Sequence, residues 1–311
     1  MNKIINRKIN YSIKLQILLL IFCYFLEYYI YFKYINDKLK VCVCTIGKKE
    51  NNYIVEFIEH YKNYGFDKIF LYDNNEKNNE KFEDVIYDYI NNKFVEIINF
   101  RGRIKIQNIA INDCYLRNNN KYDWIFFNDI DEFIYLKNYK NIKIFLNKSK
   151  FNKCQAIQFN WVMHTDNNLI YYNNKSLVDR FPEKGKSLKT AIDVKSMVRG
   201  NISMKFTSAH FLSEKLISCD VFGQTKKKYN HNKKEYYKKY YIDHYYTKST
   251  EEFIIKIKRG SVAFGKKRYK IIDNYFEINK ITKEKIDYIE KETLVNLSRY
   301  RNFTENNDIR N

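Results

Sequence analysis

The chain has 311 residues, of which 45% are hydrophobic and 30% charged, with only 8 glycines and 1 proline. This composition excludes a disordered tail, a collagen-like fibre and a proline-rich linker, and the length suffices to bury a substantial core. Lys and Arg outnumber Asp and Glu by 56 to 36, so the net charge is +20. That charge suggests nucleic acid or an anionic membrane as a partner. The abundance of Lys, Asn, Ile, Tyr and Phe is also typical of an AT-rich genome, and we favour this second interpretation.

A hydrophobic segment lies near the start of the chain. Residues 1–14 form a basic flank, and residues 15–35 are mostly apolar, although Glu27 and Lys33 lie among them. The length of this segment and the tyrosines near its end predict a single-pass membrane anchor, and no small-residue cleavage site follows it. The alternative is a helix that lies on the protein or membrane surface. Because lysines flank both ends, the sequence does not predict which side of the membrane holds the rest of the chain.

The six cysteines show neither a metal-site pattern nor a disulfide framework. No pair has the C-x2-C spacing of zinc ligands, and six scattered cysteines are few for a disulfide-stabilised chain of this length. We therefore interpret most of them as small buried hydrophobic residues, from which no cellular compartment can be inferred.

After the anchor, short hydrophobic runs alternate with segments of helical periodicity. Predicted strands cover Val41–Ile46, Lys68–Tyr72, Phe94–Phe100 and Asp123–Asn128, and predicted helices cover Asn51–Tyr64, Phe82–Ile90 and Ile104–Leu116. The first helix should end at Gly65, because glycine readily adopts the left-handed conformation that closes a helix. The alternation predicts an α/β fold with a mostly parallel sheet and helices on both faces.

Polar residues follow three of the four predicted strands. They are Thr45–Glu50, Asp73–Asn75 and Asp129–Asp131. Ligands of open parallel sheets bind at the carboxyl ends of the strands. We therefore expect these three segments to share one site.

The second half of the chain is less regular. Strands are predicted at Ala156–Val162 and Ser203–Thr207, and helices at Thr250–Arg259 and Ile281–Tyr300. Ser249 or Thr250 can cap the first of these helices. We expect residues 41–300 to form a single domain and residues 301–311 to be a frayed tail.

The strongest local signal for chemistry is the sequence WIFFNDIDEF at residues 124–133. A hydrophobic strand delivers Asp129 and Asp131 to its end, where both carboxylates can share one divalent cation with a diphosphate. Because any acidic loop can contain this D-x-D motif, a pair of aspartates that merely cap a turn is the alternative. A phosphatase of the haloacid dehalogenase type would need Thr or Val where this chain has Phe133.

A set of motifs follows in a fixed order between about Val41 and Gly260. The set comprises TIGKKE at 45–50, Glu56, Glu59, His60, Tyr61, Gly65, Tyr72-Asp73-Asn74, the stretch from Gln107 to Cys114, DIDEF at 129–133, Trp161, Lys189-Thr190, His210, HYY at 244–246, Lys248, Ser249, EEF at 251–253, Lys256 and Arg259-Gly260. This ordered set resembles glycosyltransferase family 92 and its relatives in family 2.

The resemblance implies a GT-A fold and an inverting, metal-dependent transfer of a hexose from a nucleotide-sugar donor to a glycan or glycoconjugate. It favours a UDP-sugar as donor and Mn²⁺ or Mg²⁺ as cofactor, with Asp129, Asp131 and His244 as metal ligands. The residues matched to donor binding are Thr45, Lys48, Glu50, Asp73, Gln107, Asp129, Lys189 and Lys248. Neutral imidazole suits such a metal, and a lysine beside it can stabilise the leaving diphosphate.

An inverting transferase also needs a base that deprotonates the acceptor hydroxyl. Our candidate is Asp166, because it follows Trp161, on which a sugar could stack; Asp179 and Glu183 are alternatives. We assign Trp161 and His164 to the acceptor side. The family usually has Phe-Gly-Ser-x-Gly after the tryptophan, whereas residues 162–166 here read VMHTD, so the acceptor is not predicted.

Bases alternate with aromatic residues in Lys226–Tyr241, just before His244. This mixture would suit nucleic acid or membrane headgroups, but we expect a mobile flap near the donor, and we expect no nucleic acid as a partner. A catalytically silent binding protein of the same fold is the alternative function, and a basic nucleic-acid-binding protein is a less favoured one.

Overall fold

The computed structural model describes residues 2–185, 194–206, 216–225, 236–260 and 271–301. The predicted frayed tail, apart from Arg301, lies outside these residues.

Helix α1 (Asn2–Lys38) carries the hydrophobic segment. Its stretch Ile13–Ile35 has 23 residues and, by length and composition alone, could cross a membrane. Large side chains such as Leu20 and Phe25 are mostly exposed, whereas Ile35 is buried where α1 meets the rest of the chain. The apolar surface of α1 therefore faces outward, unlike that of a helix packed along the protein.

The first half of the chain forms the alternating pattern that the sequence predicts. The strands are β1 (Val41–Gly47), β2 (Lys68–Asp73), β3 (Val95–Asn99) and β4 (Trp124–Phe127), and the helices between them are α2 (Asn51–Asn63), α3 (Glu83–Asn91) and α4 (Gln107–Asn118). Gly65, with φ of 79°, follows the end of α2, as predicted. The four strands are parallel and pair in the order β3-β2-β1-β4.

The second half extends this sheet. It contributes β5 (Glu132–Leu136), β6 (Ala156–Met163), β7 (Val194–Arg199), β8 (Ser218–Asp220) and β9 (Tyr240–His244). The full order is β3-β2-β1-β4-β7-β6-β9-β5, with β8 beside β6, and β7 is antiparallel to both of its neighbours. The strand predicted at Ser203–Thr207 is wrong for the residues described, because 203–206 form no regular structure.

Shorter helices complete the fold. They are α5 (Ile142–Leu146), α6 (Leu177–Arg180), α7 (Tyr236–Lys239), α8 (Thr250–Arg259), α9 (Ile272–Ile278) and α10 (Lys283–Thr293), with a 3₁₀ turn at Ser149–Phe151. Ser249 caps α8 and forms a reciprocal capping box with Glu252. The predicted terminal helix is shorter than expected, because Leu294 adopts a left-handed conformation with φ of 59° and ends α10.

Apolar cores lie on both faces of the sheet. On one face, Phe57 and Tyr61 of α2 pack on β1 and β4; on the other, Cys114 and Tyr115 of α4 pack on the same strands. A third core joins α8, α9 and α10. The parallel strands begin at one edge of the sheet, at Val41, Lys68, Val95 and Trp124, and we call this the amino edge. They end at Gly47, Asp73, Asn99 and Phe127, which mark the carboxyl edge.

Two disulfides cross-link the sheet to its surroundings. Cys44 of β1 is bonded to Cys114 of α4, and Cys154 is bonded to Cys219 of β8. The interpretation of most cysteines as unpaired hydrophobic residues is therefore wrong for these four. Sequence spacing could not reveal the pairs, because their partners lie 70 and 65 residues apart.

We expect the double substitution Cys44→Ala with Cys114→Ala to lower the free energy of unfolding by about 2–4 kcal/mol, because the bridge closes a long loop. Urea unfolding monitored by circular dichroism measures this change. Cys23→Ala is the matched control, since Cys23 is a free, exposed cysteine of α1. An unfolding midpoint that does not respond to reducing agent would contradict the pairing.

Acid should destabilise the fold through His60 of α2. Burial lowers the pKa of His60 to about 4, although Nε2 donates a hydrogen bond to the Ile134 carbonyl at 2.9 Å. The unfolded chain, with a histidine pKa of about 6.5, binds more protons between pH 4 and 6.5, so stability should fall as the pH falls through this window. The loss is at most roughly 3 kcal/mol. Thermal unfolding of the wild type and of His60→Gln across this range measures it, and equal pH slopes in the two proteins would refute the assignment.

Candidate active site

A cavity opens at the carboxyl edge between β1, β4 and α4. Its lining contains three residues predicted to bind the donor, namely Thr45, Gln107 and Asp129. Tyr72, Asn128 and Lys195 contribute further polar groups, and Cys44 and Ile111 add apolar surface. The Thr45 hydroxyl is buried and has no hydrogen-bond partner within the described part of the chain. A polar ligand atom entering the cavity could supply that partner.

Ion pairs hold the loop that follows β1. Lys48 pairs with Glu76 at 2.6 Å, and Glu50 pairs with Arg259 at the end of α8. Lys49 has a left-handed backbone with φ of 55°, and its amide donates to Asn75 Oδ1 at 2.7 Å. The predicted donor residues Lys48 and Glu50 thus lie beside the cavity, on a loop fastened to α8.

Asp73 ends β2 at the carboxyl edge, as predicted, but it is fully buried. One carboxylate oxygen accepts from Arg101 Nε at 2.5 Å, and the other accepts from the Asn75 amide at 2.9 Å. In this arrangement Asp73 holds the second loop, and it is not among the residues that line the cavity.

Three buried side chains next to the cavity form a candidate metal site. Asp131, Glu132 and His244 offer ligand atoms that all lie within 4.8 Å of one another. His244 Nε2 is 3.6 Å from Asp131 Oδ1 and 3.7 Å from Glu132 Oε1. The group forms because β5 and β9 are antiparallel partners that place Glu132 opposite His244. Two carboxylates and an imidazole suit Mn²⁺, and the carboxylates alone suit Mg²⁺.

Burial and the nearby lysines shift the pKa values of the three groups in different directions. Burial lowers the pKa of His244 to about 4, although Asp131 opposes the shift, so the ring is neutral near pH 7 and can act as a ligand. Burial raises the pKa of Glu132 well above its usual range. Burial also raises the pKa of Asp131, but Lys248 and Lys256 outweigh it and hold that pKa well below its usual range.

Two lysines bind Asp131 from the side of α8. Lys248 Nζ is 3.1 Å and Lys256 Nζ 2.9 Å from Asp131 Oδ2, and all three side chains are buried or nearly so. Lys248 has a left-handed backbone with φ of 54°, a conformation that costs free energy in a residue other than glycine and is often found at functional sites. The predicted donor residue Lys248 therefore does reach the acidic group, and Lys256 reaches it too.

A third lysine connects the acids to the cavity. Lys195 of β7 is buried, and its Nζ lies 2.7 Å from Asp129 Oδ2 and 3.5 Å from Glu132 Oε2. Sequence reasoning missed it, because no strand was predicted around residue 195. It also passed over Glu132, although this residue is part of the DIDEF motif, because the D-x-D pattern drew attention to the two aspartates.

The geometry departs from the predicted metal ligands at one position. Asp129 does not belong to the group of ligand atoms that could share a cation; its carboxylate lines the cavity and is paired with Lys195. Glu132 takes its place in the group.

The candidate base has partners that tie it to the C-terminal helices. Asp166 is buried, and its Oδ2 lies 2.6 Å from Lys285 Nζ and accepts a hydrogen bond from the Tyr275 hydroxyl at 2.6 Å. Its Oδ1 accepts from the Asn168 amide at 2.9 Å. Within the described residues, this carboxylate is buried and joins the segment after β6 to α9 and α10.

The predicted acceptor-side residues are also buried. The centroids of the Trp161 and His244 rings are 4.5 Å apart, so the buried tryptophan packs against this residue of the candidate metal site. His164 Nδ1 contacts the Phe181 carbonyl and Nε2 contacts Asp243 Oδ1, both at 2.6 Å. Neither side chain offers an exposed face on which a sugar could stack.

Some predicted residues lie where the structure gives no description. They include the predicted donor residue Lys189 and most of the basic run, 226–235. The described remainder of that run, residues 236–241, covers α7 and the start of β9. Because β9 starts at Tyr240 and reaches the candidate metal site only at His244, this remainder is separated from the site by most of the strand, and the flap prediction is wrong for it.

Sequence comparison identifies relatives of the chain. The sequence model described as glycosyltransferase family 92 matches residues 37–297. A family 92 protein of Ricinus communis is 27% identical over 104 residues, which are 33% of this chain and 18% of that protein. A family 92 protein of Oryza sativa subsp. japonica is 27% identical over 95 residues, which are 30% of this chain and 16% of that protein. The matched segments thus span less than a fifth of these curated relatives.

Two solved structures resemble parts of the chain weakly. TarS residues 1–349 of S. aureus in complex with UDP shares 10% identity at a TM-score of 0.33, over 52% of this chain and 47% of that one. The mannosyltransferase PcManGT of Pyrobaculum calidifontis, in complex with GDP-Man and Mn²⁺, shares 10% identity at a TM-score of 0.30, over 39% of this chain and 35% of that one.

The family match covers both halves of the sheet and every residue of the candidate site. The fold agrees with it, since a mixed α/β sheet with helices around it follows one N-terminal apolar helix. From residue 37 to residue 297 the chain belongs to glycosyltransferase family 92.

Proposed function

We propose that the chain transfers a hexose from a nucleotide-sugar donor to a glycan or glycoconjugate, with a divalent cation at Asp131, Glu132 and His244. The observation that carries this proposal is the position of those three buried ligand groups beside a cavity lined by Thr45 and Gln107. A UDP-sugar is the first donor to test, since the family resemblance favours it.

The donor would enter the cavity with its nucleoside between β1 and α4. Thr45 and Gln107 would hydrogen-bond to the nucleoside, and Lys195 would keep Asp129 at the cavity wall. Lys48, Glu50 and Asp73 would act indirectly, by fixing the two loops at the mouth.

The diphosphate would lie between the cavity and the acids. Lys248 and Lys256 both contact the same oxygen of Asp131, so either amine could turn to a phosphate oxygen while the other keeps the carboxylate ionised. When bound, Mn²⁺ or Mg²⁺ would neutralise charge that develops on the leaving diphosphate. The donor set fits such an ion, because Glu132 Oε1 is buried without a hydrogen-bond partner in the described structure and lies 3.7 Å from His244 Nε2.

Inversion requires a base at the acceptor hydroxyl. The ion pair of Asp166 with Lys285 argues for a structural role of that residue, so inversion stays a proposal without an assigned base. We further propose that α1 anchors the chain in a membrane in a single pass.

Release of nucleotide from a panel of nucleotide sugars, measured with Mn²⁺, with Mg²⁺ and with chelator, tests the function. We expect cation-dependent release with one donor. A catalytically silent binding protein would instead bind a donor without releasing nucleotide from it under any of these conditions.

A further inference from the structure

Exposed lysines collect around the amino edge of the sheet, opposite the candidate active site. They stand just before β1, β3, β4 and β6 and on either side of α5, and we call them the amino-edge lysines: Lys40, Lys93, Lys121, Lys140, Lys148 and Lys153. Three of them precede parallel strands whose starts are aligned, since Val41 pairs with Trp124 and Ile69 with Val95.

The directions of β5, β6 and β7 place the other three lysines at the same edge. β7 is antiparallel to both β4 and β6. Val198, next to the end of β7, pairs with Ala156 at the start of β6 and with Ile125 near the start of β4, so β6 and β4 start at the same edge. Lys153 therefore lies at this edge. β5 runs from the site toward the same edge, and its end leads into the α5 region that carries Lys140 and Lys148.

The acids of this edge do little to offset the lysines. Asp67 pairs with Lys143 Nζ at 2.5 Å and accepts the Val41 amide at 2.7 Å. Asp123 accepts the Lys40 amide at 2.7 Å. Lys143 offsets the charge of Asp67, whereas Asp123 keeps its own charge, so the six amino-edge lysines outnumber these two acids.

Helix α1 leaves the fold at this same edge. Only Leu39 and Lys40 separate α1 from β1, and α1 contacts α5 near the point where Ile35 is buried. Tyr28, Tyr31 and Tyr34 are exposed near this end of the helix. Tyrosines in such a position are typical of the boundary between hydrocarbon and headgroups.

We propose that the amino edge lies on the membrane surface and that the amino-edge lysines bind anionic phospholipid headgroups. The inference rests on the proposed anchoring by α1 but not on the transferase reaction. A span that ends within a few residues of this edge keeps the lysines near the bilayer, where anionic lipids attract basic side chains. A long nucleic acid would have to compete with the bilayer for the same face.

The test uses the full chain in nanodiscs of phosphatidylcholine alone and in nanodiscs in which about a third of the lipid is phosphatidylglycerol. Brief acetylation with a water-soluble reagent, read by mass spectrometry, reports the exposure of each lysine. We expect several-fold slower labelling of the amino-edge lysines in the anionic discs, and recovery at high salt because screening weakens the attraction. Lys280, which is exposed between α9 and α10, and Lys283 and Lys291, which are exposed on α10, should label equally in both discs.

A charge-reversal variant with Lys121→Glu, Lys140→Glu and Lys153→Glu should abolish the protection of the remaining amino-edge lysines. The matched control carries Lys280→Glu, Lys283→Glu and Lys291→Glu, with the same change in net charge, and should keep it. Equal labelling of the wild type in both discs would overturn the proposal. Protection by a single-stranded oligonucleotide but not by anionic lipid would overturn it in favour of nucleic acid. Nucleotide release from the same samples reports the transferase function separately, so the two failures can be told apart.

Discussion

Substitution of Asp131 by Asn should reduce nucleotide-sugar turnover by at least about a hundredfold, because it removes a charged ligand from a site that must oppose charge on the leaving diphosphate. The change keeps the shape of the side chain but leaves Lys248 and Lys256 without the carboxylate that both contact. Turnover is measured by nucleotide release at saturating donor and Mn²⁺. Asp88→Asn, an exposed position on α3, is the matched control and should have wild-type turnover. Wild-type turnover of Asp131→Asn would remove the basis of the proposed site.

The same assay separates the two possible ligand sets. Glu132→Gln should raise the Mn²⁺ concentration for half-maximal turnover by at least about tenfold, since Glu132 belongs to the buried group. Asp129→Asn should instead raise the KM for the donor with little change in the Mn²⁺ requirement, since Asp129 lines the cavity and pairs with Lys195. The reverse pattern would favour the ligands predicted from the D-x-D motif.

Replacing Arg180 by Met should be among the most destabilising substitutions in the chain. Arg180 donates to both carboxylate oxygens of Glu252, at 2.7 and 3.0 Å, and both side chains are almost fully buried. Glu252 also accepts from the Tyr53 hydroxyl and from the Ser249 amide, so one carboxylate joins α2, α6 and α8. Loss of the guanidinium would leave this carboxylate buried without its counter-charge, at a cost of about 3–5 kcal/mol.

Urea unfolding measures this cost. The double variant Arg180→Met with Glu252→Met should recover much of the loss, because an apolar pair needs no counter-charge. Lys283→Met tests the exposed pair with Asp287 and should change stability by less than about 1 kcal/mol. A single variant as stable as the wild type would show that Glu252 is neutral in the folded state.

Strands and helices of the first half were predictable because each has the periodicity of its own type. The sequence from Val41 to Phe127 alternates short apolar runs with amphipathic helices, and the observed bounds differ by a few residues. The region around β7 was not predictable in the same way. Its sequence VKSMVR places a lysine and a serine within a strand that is almost entirely buried. Because of these polar residues, the segment lacks the apolar pattern that predicts a buried strand.

The candidate site shows the same limit. Asp131 and His244 could be named because family motifs mark them, whereas Lys195 matters only because the sheet order brings β7 beside β4. Asp166 shows a second limit. Its place after Trp161 suggested a base, but Lys285 and Tyr275, more than 100 residues further along the chain, determine its surroundings.

The short connection between α1 and β1 limits how far the rest of the chain can move relative to α1. β1 has seven residues, so the cavity at its carboxyl end lies roughly 20 Å from its start. If the amino edge rests on the membrane, the two-residue link leaves little freedom to tilt or lower the domain, and the reaction takes place at one height. A sugar attached directly to a lipid headgroup would then lie too low. On that condition, the fitting acceptor would be a chain that stands clear of the bilayer and presents its end at that height.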